Sequence, residues 1–125
     1  MSKSTTAIAV VDDESAVRAA LLRLLRAAGM EALAFSSGPE FLDILRTRRF
    51  DCVILDLQLH SMTAYEIQTD SGFIAAGIPT IIITAHNEPG TRDKCLALGA
   101  IAYLCKPFDD KVLLDAIHEA IRKRS

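Results

Sequence analysis

Two adjacent carboxylates close an apolar run in IAVVDDE, where Asp12 and Asp13 follow Val10 and Val11. A third carboxylate, Asp56, ends CVILD. Thr84 ends TIIIT, and Lys106 follows YLC with Pro107 next. Neighbouring carboxylates at the end of a buried strand repel one another and resist desolvation, so their placement asks for a counter-charge. Three carboxylates form a hard, all-oxygen donor set, which suits Mg2+. A divalent ion, an ammonium and a hydroxyl gathered around one carboxylate suit a phosphoryl group, because the cations neutralise its oxygens and the hydroxyl donates a hydrogen bond. Carboxylates also serve as nucleophiles that carry phosphoryl groups covalently. The paired Asp12 and Asp13 suit metal binding. Asp56 stands alone on its run and, facing Lys106, is the candidate nucleophile.

These residues meet only if the segments before them are parallel strands of one sheet. Strand-like runs at 7–11, 31–35, 52–55, 80–84 and 101–105 alternate with helical patterns, which is the pattern of an α/β fold. AIAVV, CVIL and TIIIT are almost wholly apolar, as strands covered on both faces are; the 31–35 run is weaker and reads as an edge. The expected architecture is a doubly wound, flavodoxin-like three-layer sandwich: a five-stranded parallel sheet, order 2-1-3-4-5. Ligands then bind at the carboxyl edge where strand order reverses. Val17, Leu21, Leu24, Leu25 and Ala28 share a helical face, followed by Gly29. Phe41, Leu42 and Leu45 mark a second helix after Gly38-Pro39. Another runs from about Pro89-Gly90 to Gly99. The last starts near Asp110, carries Val112, Leu113, Ala116, Ile117, Ala120 and Ile121 on one stripe, and ends in Arg122-Lys123-Arg124. The third helical segment contains Thr69, Asp70, Ser71 and Gly72 in a row, all poor helix formers, so a short, kinked or unwound element is expected.

The 125 residues suit one domain, 1–125, with its core over about 7–123. Half of them are hydrophobic, which excludes a wholly disordered chain. The net charge of −2 argues against a nucleic-acid surface. No apolar run reaches the roughly 20 residues of a membrane span, and MSKSTTA has no apolar signal core. Cys52, Cys95 and Cys105 are odd in number and flanked by apolar residues, which points to a reduced, cytoplasmic setting with buried thiols.

Taken together, VVDDE, VILDLQL, IPTIIITAH, LGAIAYLCKPF and the closing amphipathic helix resemble a response-regulator receiver domain of two-component signalling, over about residues 7–123. The wording IIITAHNEP…GAIAYLCKPFD is most similar to receivers of the nitrogen-fixation-regulator type, which carry helix-turn-helix outputs. The resemblance implies that Asp56 accepts phosphoryl from a sensor histidine kinase with Mg2+ as cofactor. Asp13 would ligate the ion directly and Asp12 through water, with the Gln58 backbone carbonyl completing the protein ligands. Thr84 would bind a phosphoryl oxygen, Lys106 would pair with the group, and Tyr103 would be the aromatic that rotates inward as Thr84 moves. Lys106-Pro107 would be cis. The domain would catalyse only its own phosphorylation and dephosphorylation. Its switching face, formed by the fourth helix, fifth strand and fifth helix and carrying Arg92, Lys94, Lys111 and His118, would engage an output domain or a second copy. Where the family usually has proline and glycine after the phosphoacceptor, this chain has His60 and Ala64, which puts the geometry of residues 57–72 in question.

Each residue also has a plain structural reading. Asp12-Asp13 suit a helix N-cap, Thr84 is β-branched in a strand, Tyr103 suits a half-buried sheet position, and His60 and His86 suit exposed loops, with a ligand or proton-transfer role for either the lesser reading. Two other functions remain open: a phosphorylation-independent interaction module with a degenerate pocket, and a Mg2+-dependent phosphatase with an Asp nucleophile. Such a phosphatase wants an acid two residues after the nucleophile, where this chain has Gln58.

Overall fold

The computed structural model describes residues 5–60 and 62–124; the side chain of Arg124, last of the basic run, lies outside the described set. Its elements in chain order are β1 (Ala7–Val11), α1 (Ser15–Ala27), β2 (Glu31–Phe35), α2 (Gly38–Leu45), β3 (Cys52–Asp56), α3 (Ala64–Gln68), α4 (Ser71–Ala76), β4 (Thr80–Thr84), α5 (Thr91–Ala97), β5 (Ala102–Cys105) and α6 (Asp110–Arg124). All pairings are parallel, in the order β2-β1-β3-β4-β5. The chain leaves β1 for β2 on one side and β3 on the other, so the strand order reverses at the carboxyl ends of β1 and β3. Asp12, Asp13 and Asp56 stand at that reversal.

The wholly apolar strands are buried on both faces. In β1, Ala7, Ala9 and Val11 belong to one core layer and Ile8 and Val10 to the other. The first layer also holds Phe35, Phe41, Phe50 and Phe73, whose rings meet at centroid distances of 5.7–6.2 Å. The second layer takes Leu21 and Leu25 from α1 and Leu113, Ile117 and Ala120 from α6. Burying one such side chain is worth about 1.5–3 kcal/mol relative to exposure. These two layers hold the sheet rigid beneath its carboxyl edge. Gly38 allows the close approach of α2 to α3: a Cβ there would lie 2.9 Å from Ile67 Cδ1 and from Met62 Sδ.

The third helical segment is broken, as its composition predicts. The Thr69 hydroxyl donates to the Tyr65 carbonyl at 2.9 Å, and Asp70 restarts the helix by accepting the Phe73 N–H at 3.0 Å. Gly77, at φ 62°, closes α4. Ala64 needs no left-handed backbone, because Thr63 and Glu66 form a reciprocal capping box that starts α3 there. Two expectations are corrected. Cys105 is exposed, because it is the last residue of an edge strand, whereas Cys52 and Cys95 are buried as expected. Val112 is 45 % exposed, off the buried stripe that Leu113 and Ile117 occupy. Among the described residues, no helix is long and apolar enough to cross a membrane.

Candidate functional site

β1 delivers Asp12 and Asp13 to the carboxyl edge. Asp12 is fully buried and its two oxygens are engaged: Oδ1 accepts the Glu14 N–H at 2.9 Å, and Oδ2 accepts from Lys106 Nζ at 3.1 Å. The Arg18 guanidinium donates to the Asp12 carbonyl at 2.8 Å, fixing the turn into α1. The N-cap of α1 is Glu14, without a side-chain cap bond, so the pair of aspartates does not serve as the cap. Asp13 differs. Its Oδ2 is shielded from solvent, yet no group is aligned to hydrogen-bond to it. Buried carboxylate oxygens are rarely left so.

Asp56 ends β3, flanked by β1 and β4, and is 5 % exposed. The Gln58 N–H donates to its Oδ1 at 3.3 Å, and Lys106 Nζ stands 3.9 Å from its Oδ2. Burial pushes the Asp56 carboxyl up to about 6, with the Asp12 charge adding to the rise and the Lys106 ammonium opposing it. Lys106 follows β5, its N–H donating to the Thr84 carbonyl at 2.7 Å, and the Lys106-Pro107 bond is cis. Its ammonium lies nearer Asp12 than Asp56, and Glu14 Oε1 is a third acid at 3.8 Å. Lys106 thus faces Asp12 before Asp56, which corrects the expectation from sequence: the fully buried Asp12 charge draws it first, because an unpaired buried carboxylate is the costlier state.

One oxygen each from Asp12, Asp13 and Asp56 lie within 4.8 Å of one another. These hard oxygens, with the Asp13 Oδ2 that accepts no hydrogen bond among them, fit a divalent ion such as Mg2+. Both Asp12 oxygens are engaged within the protein, whereas Asp13 Oδ2 accepts no hydrogen bond. A cavity of about 510 Å³ opens over the set, lined by Asp13, Glu14, Asp56, Gln58, His60 and Lys106, with Leu59, Ala85 and His86.

Thr84 and Tyr103 are placed apart from this cluster. The fully buried Thr84 has its hydroxyl held by the backbone of His86, donating to the carbonyl and accepting the N–H, each at 3.0 Å. Tyr103 is 8 % exposed, and its hydroxyl meets Thr91 Oγ1 at 2.8 Å and Asn87 Oδ1 at 3.1 Å. The ring is thus inward and tied to the loop before α5. His60 suits an exposed loop in the sequence, with a ligand or proton-transfer role as the lesser reading. The structure sets its Nδ1 2.9 Å from Asp13 Oδ2, on a ring that is 93 % exposed. The signal available in the sequence was the alternation Leu57-Gln58-Leu59-His60: the two leucines are buried and the two polar residues line the cavity.

A parallel doubly wound sheet with three carboxylates and a lysine at its reversal point defines a class of α/β domains with an acidic site at the carboxyl edge. The match to known sequences is more specific. The response regulator receiver domain model matches residues 8–118, and the chain belongs to that family. It is similar to nodulation protein W of Bradyrhizobium diazoefficiens, 35 % identical over 121 residues, which cover 96 % of this chain and 53 % of that protein. It is 33 % identical over 116 residues to the transcriptional regulatory protein FixJ of the same organism, covering 93 % and 57 %. A crystal structure of a response regulator receiver protein from Burkholderia phymatum superposes with a TM-score of 0.84 at 40 % identity, covering 94 % and 96 %. The chain therefore spans about half the length of the curated relatives it matches.

Proposed function

We propose that this chain is the phosphoacceptor receiver domain of a two-component response regulator, with Asp56 taking a phosphoryl group from a phosphohistidine on a sensor histidine kinase. The observation that carries this reading is the three-carboxylate cluster, with an Asp13 oxygen that accepts no hydrogen bond, set beside Lys106 at the sheet reversal. In the transfer, an Asp56 oxygen forms the new O–P bond, the N–P bond of the donor breaks, and the imidazole departs with a proton. A carboxyl held near 6 is mostly ionised at pH 7 and so available as the nucleophile. Asp13, Asp56 and the Gln58 carbonyl would hold Mg2+, with Asp12 acting through water. When bound, the ion supplies charge neutralisation to the phosphoryl oxygens.

Lys106 would shift from Asp12 toward the added phosphoryl charge, about −1.5 to −2 for such groups. Thr84 would exchange its His86 bonds for a phosphoryl oxygen, and Tyr103, already inward, would report that change through Thr91 and Asn87. The face formed by α5, β5 and α6 would then act on an output domain, attached or separate, or on a second copy. Two of its cations are already engaged: Lys94 Nζ lies 4.0 Å from the Tyr65 ring centroid, and Lys111 pairs with Asp115 at 2.8 Å. In this reading the domain is cytoplasmic, does not itself contact nucleic acid and turns over no external substrate.

Incubation with acetyl phosphate and Mg2+ tests this. One acid-stable, base-labile phosphoryl group per chain is expected, absent in Asp56→Asn. Labelling that survives that substitution would overturn the assignment. Sustained phosphate release from organic esters would favour a phosphatase. No labelling under any condition would favour a phosphorylation-independent module.

A further inference from the structure

We infer that His60 is a fourth protein ligand of the divalent site, which converts an all-oxygen centre into a mixed oxygen–nitrogen one and shifts its preference from Mg2+ toward a first-row transition ion. This rests on reading the Asp12, Asp13 and Asp56 cluster as the metal site. His60 Nδ1 lies 2.9 Å from Asp13 Oδ2, yet no group is aligned to hydrogen-bond to that oxygen. The two groups stand at ion-pair distance but off the line of a hydrogen bond, and this is also the spacing of neighbouring ligands on one ion: with bonds of about 2.0–2.1 Å, adjacent octahedral ligands lie about 2.9–3.0 Å apart.

The chain presents the imidazole by an identifiable device. Leu57 and Leu59 are anchored in the core, and the Leu57 N–H donates to the Ile83 carbonyl at 2.9 Å. The residues between and after them, Gln58 and His60, therefore face the cavity, and both line it. His60 touches the carboxylates at Asp13. Its side chain is 93 % exposed, at the open side of the site. Imidazole suits Co2+, Ni2+ and Zn2+, whereas Mg2+ keeps to oxygen donors and water. Loss of His60 therefore separates the two kinds of ion.

The test is calorimetric titration of the full chain with MgCl2 and, separately, CoCl2. A Cys105→Ser background keeps the exposed thiol from contributing a ligand. His60→Ala should weaken Co2+ binding by at least about tenfold and change Mg2+ binding by less than about twofold, with loss of a Co2+-shifted imidazole resonance in the proton spectrum. An unchanged ratio of Co2+ to Mg2+ affinity in His60→Ala overturns the inference. So does the loss appearing in His86→Ala instead, since His86 is the other imidazole on the cavity wall. Asp13→Asn separates the two levels. If it abolishes binding of both ions, the site stands and His60 alone is judged by the first comparison. If Mg2+ still binds, the metal site itself is misassigned and the inference falls with it.

Discussion

Asp56 carries a charge that its surroundings oppose. Removal from water and the neighbouring Asp12 raise its carboxyl from 3.8 to about 6, and Lys106 only partly offsets this. Between those values the folded chain binds more protons than the unfolded chain, so this group makes the metal-free protein lose stability as pH rises through the window. Below about 4 both states are protonated and the penalty is absent. Above about 6 it is fully present, at most about 3 kcal/mol. Asp56→Asn removes the charge and should raise the melting temperature at pH 8 in chelator. The gain should shrink steadily toward pH 4.5, as thermal melts across that range would reveal. A gain of equal size at both ends would mean that burial is not what shifts this carboxyl.

At the level of elements, the break between α3 and α4 is a designed restart rather than fraying. Thr69 folds back on Tyr65, and Asp70 supplies the cap that α4 needs to begin. A cap of this kind contributes about 0.5–2 kcal/mol. Asp70→Ala should therefore lower unfolding free energy by about 1 kcal/mol in urea melts, while leaving divalent binding intact, because Asp70 does not line the cavity above Asp56. Asp70→Asn should retain most of the stability. The capping box of Thr63 and Glu66 does the same service for α3, which is how a loop with His60 and Ala64 in place of proline and glycine still delivers the chain into a helix.

For the molecule as a whole, the site is a point where the fold concentrates unfavourable charge. Asp12, Asp13 and Asp56 share it, with Glu14 at its rim, against one ammonium. A divalent ion that binds only the folded chain should stabilise it by mass action, about 2.7 kcal/mol at a free concentration one hundred times Kd. Scanning calorimetry with and without MgCl2 should show this rise in wild type, and Asp13→Asn should lose it. In the proposed switch, the path would run from Thr84 through the His86 loop to Asn87, Thr91 and Tyr103, which hydrogen bonds already connect in part. The inward Tyr103 thus links the carboxyl edge of β4 to the α5–β5–α6 face.

Element order, strand burial, the broken third helix and the meeting of Asp12, Asp13, Asp56 and Lys106 were all legible in the sequence. Apolar runs long enough to be covered on both faces compel a parallel sheet, and a parallel sheet brings every strand's carboxyl end to one edge. Tertiary packing decided the rest. Which acid Lys106 reaches first depends on relative burial, and Asp12 is the one fully enclosed. The exposure of Cys105 follows from β5 lying at an edge, a property of the whole sheet rather than of its own neighbours. The approach of His60 to Asp13 joins residues 47 positions apart and exists only because β1 and β3 are adjacent. The local alternation turns His60 toward the cavity, but its meeting with Asp13 arises from where the sheet places two loops and not from what either loop prefers alone.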